Sequence, residues 1–193
     1  MGITDRIWRW FRLEAADWLL WLKQPQRTRA LYESVLQDHP EDAHVLSCAG
    51  YLDAAEGNRI TALERFDQVV KLAPGNLGGH YNRAFLLQQL NRHEDAVQSF
   101  DRVLGLKSDH DLALYGKALS LIALDRFDEA VPALKRATEL QPMSPYGWYQ
   151  LARIYHRRGK LESAEKIIRH LKGFEPKFAE QLIRETGIRV ESG

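Results

Sequence analysis

The chain has 193 residues, and its 27 lysines and arginines are balanced by 26 aspartates and glutamates, which leaves a formal net charge of +1 at pH 7. A charge so close to zero provides no global field that would attract nucleic acid or another strongly charged partner. Cys48 is the only cysteine, so an intramolecular disulfide is excluded and we expect a small packed side chain at this position.

The N-terminal residues 4–23 are predicted to form an amphipathic helix that is rich in tryptophan. Arginines and carboxylates lie opposite its apolar face, which consists of Ile7, Trp8, Trp10, Phe11, Trp18, Leu19, Trp21 and Leu22. Three interpretations remain open: a cap packed on the next helix, a surface for a second copy or a dedicated partner, and an interfacial membrane helix. We expect this helix to contact something outside its own repeat stack, through Trp8, Trp10, Phe11, Trp18 and Trp21.

The same segment does not resemble a secretory signal or a membrane span. Arg6, Arg9 and Arg12 interrupt its apolar residues, and the longest apolar run, 18–22, is far too short for either role. We therefore expect a cytoplasmic protein. Association with the cytoplasmic face of a membrane through the N-terminal helix remains an open alternative.

From residue 43 onwards the sequence repeats itself every 34 residues. One column of small residues comprises Gly50, Ala84, Ala118 and Ala152, and a second comprises Ala62, Ala96, Ala130 and Ala164. Two helices approach to about 8–10 Å only where the side chains between them are small, so both columns predict crossings of paired helices. Residue types that tolerate a left-handed backbone recur between these helices, at Gly57, Asn91, Asp125 and Gly159.

A period of 34 residues with these columns resembles the tetratricopeptide-repeat family. The resemblance implies an all-α fold, a right-handed α-solenoid of helix-turn-helix repeats at 43–76, 77–110, 111–144 and 145–176. Residues 1–42 would hold the tryptophan-rich helix and a degenerate repeat, and 177–193 a capping helix and a tail. One departure from the family pattern is Asp53, which occupies a position where a packed tyrosine is usual.

The resemblance also implies a non-enzymatic scaffold or adaptor that binds another protein, on a concave surface lined by the first helix of each repeat. The expected groove residues are Tyr51, Tyr81, Asn82, Phe85, Tyr115, Leu119, Tyr149, Arg153 and His156. Aromatic side chains are favoured at binding hot spots, so we expect an extended or helical segment with apolar side chains and an acidic end near Arg153. The alternative is a membrane-peripheral or self-assembling complex-assembly factor that acts through the N-terminal helix.

Several other functions are disfavoured by residue type. Co-chaperone members of the family grip a carboxylate with lysine, asparagine and arginine at five positions, and only Asn82 matches here, so binding of chaperone tails is not expected. The basic segment 153–172 is interpreted first as a solvated helix face, so nucleic acid is not an expected partner. No histidine or cysteine spacing predicts a metal site, and no glycine-rich loop predicts a phosphate site, so we expect no catalytic residue and no cofactor.

Overall fold

A computed structural model describes residues 3–190, without the side chains of residues 3 and 5. This part of the chain contains α-helices and no β-strand. Each of the four predicted repeats spans two helices, and the placing of the repeat boundaries themselves stays a prediction. The helices are α1 (Ile3–Trp21), α2 (Pro25–Asp38), α3 (Ala43–Ala55), α4 (Arg59–Leu72), α5 (Leu77–Gln89), α6 (His93–Leu106), α7 (Asp111–Ala123), α8 (Phe127–Leu140), α9 (Pro145–Arg157), α10 (Leu161–Phe174) and α11 (Pro176–Thr186).

The first compact unit extends to Arg92 and contains α1–α5. Each helix packs on the next one in the chain. Leu63, Phe66 and Val69 of α4 are buried. An ideal Cβ built on Gly50 of α3 would lie 3.0 Å from the Phe66 ring. A side chain larger than glycine would push this ring away, so the predicted small residue marks a real crossing of α3 and α4.

The second compact unit begins at His93 and contains α6–α11. Its glycines make the same kind of close approach. An ideal Cβ on Gly116 of α7 would meet the buried Phe100 ring of α6, and one on Gly147 of α9 would lie 2.7 Å from the Thr138 methyl group of α8. Gly187 ends α11 with a left-handed backbone at φ 70°.

The turns within the helix pairs have left-handed backbone at the predicted column. Gly57, Asn91, Asp125 and Gly159 have φ values of 86°, 58°, 57° and 69°, which confirms this prediction. Lys23 stands 34 residues before Gly57 and has φ 55°. The N-terminal helix pair α1–α2 therefore turns at the same position as the others, although lysine is not a turn-forming residue type.

Asp53 is accommodated by an ionic network instead of by aromatic packing. Its side chain is 1% exposed and accepts hydrogen bonds from Arg29 of α2 and, at 2.6 Å, from Arg65 of α4. Arg29 also pairs with Glu56, and Arg65 with Glu33. A buried carboxylate is tolerated only when it is paired and hydrogen-bonded, and two guanidinium groups satisfy that condition here. The network ties α2, α3 and α4 together.

The outer helix α1 is fixed to the first unit mainly through its polar face. Arg9 donates to Asp42 at 2.5 Å, and Arg12 donates to Asp38 at 2.6 Å. Asp42 also accepts hydrogen bonds from the amides of His44 and Val45, and so caps α3. Burial opposes ionisation of Asp42, but these donors outweigh it, so the pKa of its carboxyl lies below the ordinary value. One carboxylate therefore both starts α3 and holds α1.

The Asp53 network leads to a stability prediction. Asp53→Ala leaves two partly buried guanidinium groups without their shared acceptor, so we expect a loss of about 3 kcal/mol in the free energy of unfolding. Asp67→Ala, which removes only the more exposed partner of Arg83, should cost less than about 1 kcal/mol. Urea unfolding followed by circular dichroism measures both values, and equal losses in the two variants would contradict the structural role of Asp53.

The glycine crossings lead to a second prediction with a matched control. Gly116→Ala places a methyl group against the buried Phe100 ring, so the free energy of unfolding should fall by about 1–3 kcal/mol. Gly105→Ala, in α6, meets no atom within 4 Å and should instead raise it by about 0.5–1 kcal/mol, because alanine is the better helix former. If urea unfolding shows stabilisation in both variants, the crossing at Gly116 is not tight.

Candidate functional site

In the first unit, the predicted groove residues of α3 and α5 form a small aromatic surface. Tyr51 and Phe85 are 54% and 45% exposed. Asn82 donates a hydrogen bond of 2.7 Å to the Tyr51 hydroxyl, so the single residue that matches the carboxylate clamp is held by a neighbouring side chain. Tyr81, on the same helix, is half-buried and has an interaction partner.

In the second unit, Tyr115 and Tyr146 border an apolar cavity of about 350 Å³. Their ring centroids lie 6.3 Å apart. The cavity lies where the first turns of α7 and α9 meet the last turns of α8, and it is also lined by Asp111, Leu112, Ala137, Thr138, Gln141, Ser144 and Gly147. It is large enough for one apolar side chain of a partner, with two aromatic rings at its rim.

The C-terminal helix α11 engages Tyr149, another predicted groove residue. The Tyr149 hydroxyl donates to Glu185 at 2.5 Å and accepts from Gln181 at 2.8 Å, and its ring meets Phe178 edge-on. Burial, the hydrogen bond and the charge of Glu185 raise the pKa of Tyr149 to about 12. The hydrogen bond from the Tyr149 hydroxyl is the main cause that lowers the pKa of Glu185 below its ordinary value, and it outweighs the opposing effect of burial. Tyr149 therefore positions α11 and offers little free surface.

Basic side chains gather at the C-terminal end of α9, within the second unit. Arg153, His156 and Arg157 line a cavity of about 300 Å³ together with Glu185 and Thr186. The Arg153 guanidinium lies 5.6 Å from the centre of the Tyr149 ring and 3.6 Å from Glu185, while half of its side chain stays exposed. Cations that remain half-exposed can still accept an acidic group from a partner. Leu119, by contrast, is half-buried on α7 and lines neither cavity.

Two exposed apolar side chains of the second unit, Leu112 and Met143, are not among the groove residues expected from the sequence. Leu112 is 56% exposed and lines the cavity. Met143, in the turn before α9, is 67% exposed. Neither is a residue type that the repeat pattern marks for binding. An exposed leucine alone needs no explanation, so only its position at an apolar cavity distinguishes Leu112.

Three of the arginines in 153–172 lie near carboxylates of the same unit. Arg157 lies 3.4 Å from Asp125, Arg158 lies 2.6 Å from Asp128, and Arg169 pairs with Glu165 on its own helix. This arrangement agrees with a solvated helix face.

The five aromatic side chains predicted to make contacts from the N-terminal helix are solvent-exposed. Trp8, Trp10, Phe11, Trp18 and Trp21 are between 54% and 75% exposed. Among the described side chains of α1, only Ala16 is fully buried, and it joins a small cluster with Tyr32, Val35, Val45 and Ala49. The helix therefore packs on the first unit mainly through side chains other than these exposed aromatic residues.

The described residues show no sign of a metal or membrane-spanning site. Within 3–190, no group of three or more histidine, cysteine or acidic side chains could hold a metal ion. In the same range, no helix combines the length and the apolar character needed to cross a bilayer. Cys48 is half-buried, and burial raises the pKa of its thiol, which disfavours a nucleophilic role.

Comparison with known proteins identifies the repeats. A tetratricopeptide-repeat family model matches residues 49–111 and 115–173. A structure of MamA from Desulfovibrio magneticus is 18% identical, with 92% of this chain and 98% of that chain covered and a TM-score of 0.81. YrrB, described as a tetratricopeptide-repeat protein with an unusual peptide-binding site, is 18% identical over 90% of both chains with a TM-score of 0.81. A tetratricopeptide-repeat protein from Parabacteroides merdae is 19% identical, covering 93% of this chain and 73% of that one, with a TM-score of 0.82.

No curated protein sequence matches the chain. At identities below one fifth, the structural likeness establishes the fold alone. The predicted fold class, all-α with helix-turn-helix tetratricopeptide repeats, is confirmed by the family match and by these structures.

The contact between Tyr149 and α11 can be tested by titration. Glu185→Gln removes the negative charge beside the phenol, so the pKa of Tyr149 should fall from about 12 part of the way towards its ordinary value of about 10. Because the folded-state pKa of Tyr149 is raised, its contribution to stability is fully present below about pH 10 and is lost as the pH rises through about 12. The lowered pKa of Glu185 adds a contribution that is lost when the pH falls far enough to protonate this carboxylate. Ultraviolet absorbance, taken as a difference from the matching Tyr149→Phe protein, measures the pKa.

Glu180→Gln serves as the control, because Glu180 is an exposed acid on the same helix. The pKa of Tyr149 should not change in that variant. A pKa that is equally unchanged in Glu185→Gln would show that α11 does not contact Tyr149 in solution.

Proposed function

Because the chain belongs to the tetratricopeptide-repeat family, we propose that it is a non-enzymatic scaffold that binds a segment of another protein. The observation that carries the proposal is the apolar cavity of about 350 Å³ in the second unit, with Leu112, Tyr115 and Tyr146 at its rim. Such a cavity accepts an aliphatic or aromatic anchor, and anchors of this kind dominate the affinity of many interfaces. The likeness to YrrB, whose description includes a peptide-binding site, supports a peptide as the ligand.

The basic cavity at the other end of α9 gives the proposed ligand a second feature. Arg153 follows Tyr146 by seven residues on the same helix, which corresponds to a rise of about 10 Å. An extended peptide covers that distance in about three residues. We therefore expect ligands with an apolar side chain followed or preceded, at about this spacing, by an aspartate or glutamate near Arg153 and Arg157.

The proposed site emphasises different residues from the site that was expected from the sequence. Tyr115 and Arg153 are retained, Leu112 and Tyr146 gain weight as rim residues of the cavity, and Tyr149 acts in our proposal as a support for α11. Tyr51, Asn82 and Phe85 form a separate exposed surface within the first unit. That surface remains a candidate for further contacts with the same partner.

Peptide selection followed by direct binding measurements tests this function. A random peptide library displayed on phage is selected on the whole chain, and the enriched peptides are synthesised and measured by fluorescence anisotropy. Leu112→Ser and Tyr146→Ser should each weaken binding at least about tenfold, which corresponds to 1.4 kcal/mol. Replacing the acidic residue of the peptide by its amide should weaken binding mainly at low salt, where exposed charges interact most strongly.

Leu161→Ser provides the matched control, because Leu161 is 54% exposed on α10 and lines none of the cavities described above. Its affinity for the peptides should equal that of the wild type. Selected peptides that bind both cavity variants as tightly as the wild type would rule out this cavity as the binding site. A failure to enrich any peptide would argue against peptide binding altogether.

A second function is favoured by the exposure of the tryptophans on α1. Their apolar face cannot be explained as packing within the first unit, because α1 packs there through Ala16 and its arginines. We propose that this face is a second contact surface of the scaffold. It would serve either self-assembly or contact with a membrane surface. The choice between a protein and a lipid surface depends on the charges around the face.

A further inference from the structure

The outward face of α1 is an apolar surface with a regular helical spacing. Residues 7, 10, 11, 14, 18 and 21 recur at intervals of three and four, so they lie on one face. Apart from Glu14 these are aliphatic or aromatic, and Trp8 and Leu22 extend the face at its edges. The opposite face is held by the hydrogen bonds from Arg9 to Asp42 and from Arg12 to Asp38. The apolar face is therefore fixed towards solvent along the helix.

The aromatic side chains of this face contact one another and leave most of their area open. Trp8 and Trp10 both meet Phe11, and the Trp18 and Trp21 rings lie edge-on with centroids 6.0 Å apart. At 150–250 Å² for each aromatic side chain, the exposed fractions leave roughly 600 Å² open. A contiguous patch of that size is at the upper limit for a typical monomer, before the aliphatic residues are added.

We propose that the outward face of α1 is the interface of a homodimer, covered by the same face of a second copy of this chain. Two such faces would bury roughly 1,200 Å² from the aromatic residues alone, which reaches the range of stable interfaces. A two-fold axis makes one patch self-complementary. Tryptophan is also the residue type most enriched among the side chains that dominate binding energy.

The charges at this face favour a second copy over a lipid bilayer. Glu14 lies in the middle of the apolar face, and it forms no ion pair with any other side chain that the structure describes. Arg6, exposed at the edge of the same face, likewise has no such pair. A second copy offers exposed cations with which this carboxylate can pair, whereas an anionic lipid surface repels it. Interfacial membrane helices also direct lysine and arginine at the headgroups, and here Arg9 and Arg12 point into the protein.

Sedimentation equilibrium of the whole chain over a range of concentrations tests the proposal. The wild type should show the mass of two copies, and Trp18→Ser combined with Trp21→Ser should show the mass of one. These two tryptophans are 63% and 75% exposed, so their removal should leave the folding of the monomer intact, as thermal unfolding can verify. Ile60→Ser, which changes a residue of α4 in the same unit that is 60% exposed, should remain a dimer.

Flotation with phosphatidylcholine vesicles, neutral and with added phosphatidylserine, runs beside the sedimentation measurements. No flotation is expected for the wild-type dimer. A wild type that has the mass of one copy at every concentration would overturn the proposal, as would a tryptophan variant that still dimerises. A monomeric wild type that floats with vesicles, while the tryptophan variant does not, would assign the face to a bilayer instead.

Discussion

The close approach of paired helices at glycine and alanine is the constraint on which the rest of this structure depends. Gly50 lies against the Phe66 ring and Gly116 against the Phe100 ring, in separate units and at different positions in the repeat. With side chains this small, one large ring fills the space between two helices and is almost completely buried. Packing at such density leaves little freedom to rearrange, so the first helix of each pair is fixed with one face inward and the other available.

That constraint separates two classes of aromatic residue. Phe66 and Phe100 are buried at the crossings and stabilise the fold. Tyr146, Phe85 and the tryptophans of α1 are about half or more exposed, so they contribute little burial energy in the isolated chain. Aromatic area that folding does not use is available for binding. The account of function therefore rests on which aromatic residues the repeat packing leaves exposed, and Tyr149 falls outside it because α11 engages its hydroxyl and its ring.

The repeat columns allowed most of the fold to be predicted, because spacing alone determines which residues share a helix face. The left-handed turns at Gly57, Asn91, Asp125 and Gly159 were predictable from residue type, but the one at Lys23 was not, since lysine carries no turn signal. The role of Asp53 required knowledge that Arg29 and Arg65 converge on it from two other helices. Local patterns predict elements, whereas ion pairs between elements depend on tertiary approach.

The candidate site was predictable only in outline. The sequence placed Tyr115 and Arg153 on a lining face, and periodicity placed the tryptophans of α1 on one face. Neither kind of pattern tells which face of a helix packs and which stays exposed, so the cavity beside Leu112 and the open face of α1 emerge only from the structure. The central claim is that the aromatic residues exposed by repeat packing are the binding surface.

Amide chemical-shift mapping of the isotope-labelled protein, titrated with a peptide selected on the whole chain, tests this claim most directly. The account predicts that the largest shifts cluster on the first turns of α7 and α9, around Leu112, Tyr115 and Tyr146. The claim would be contradicted if the largest shifts lay on the solvent-facing side of α8 or α10, because the peptide would then bind away from the cavity beside Tyr115 and Tyr146.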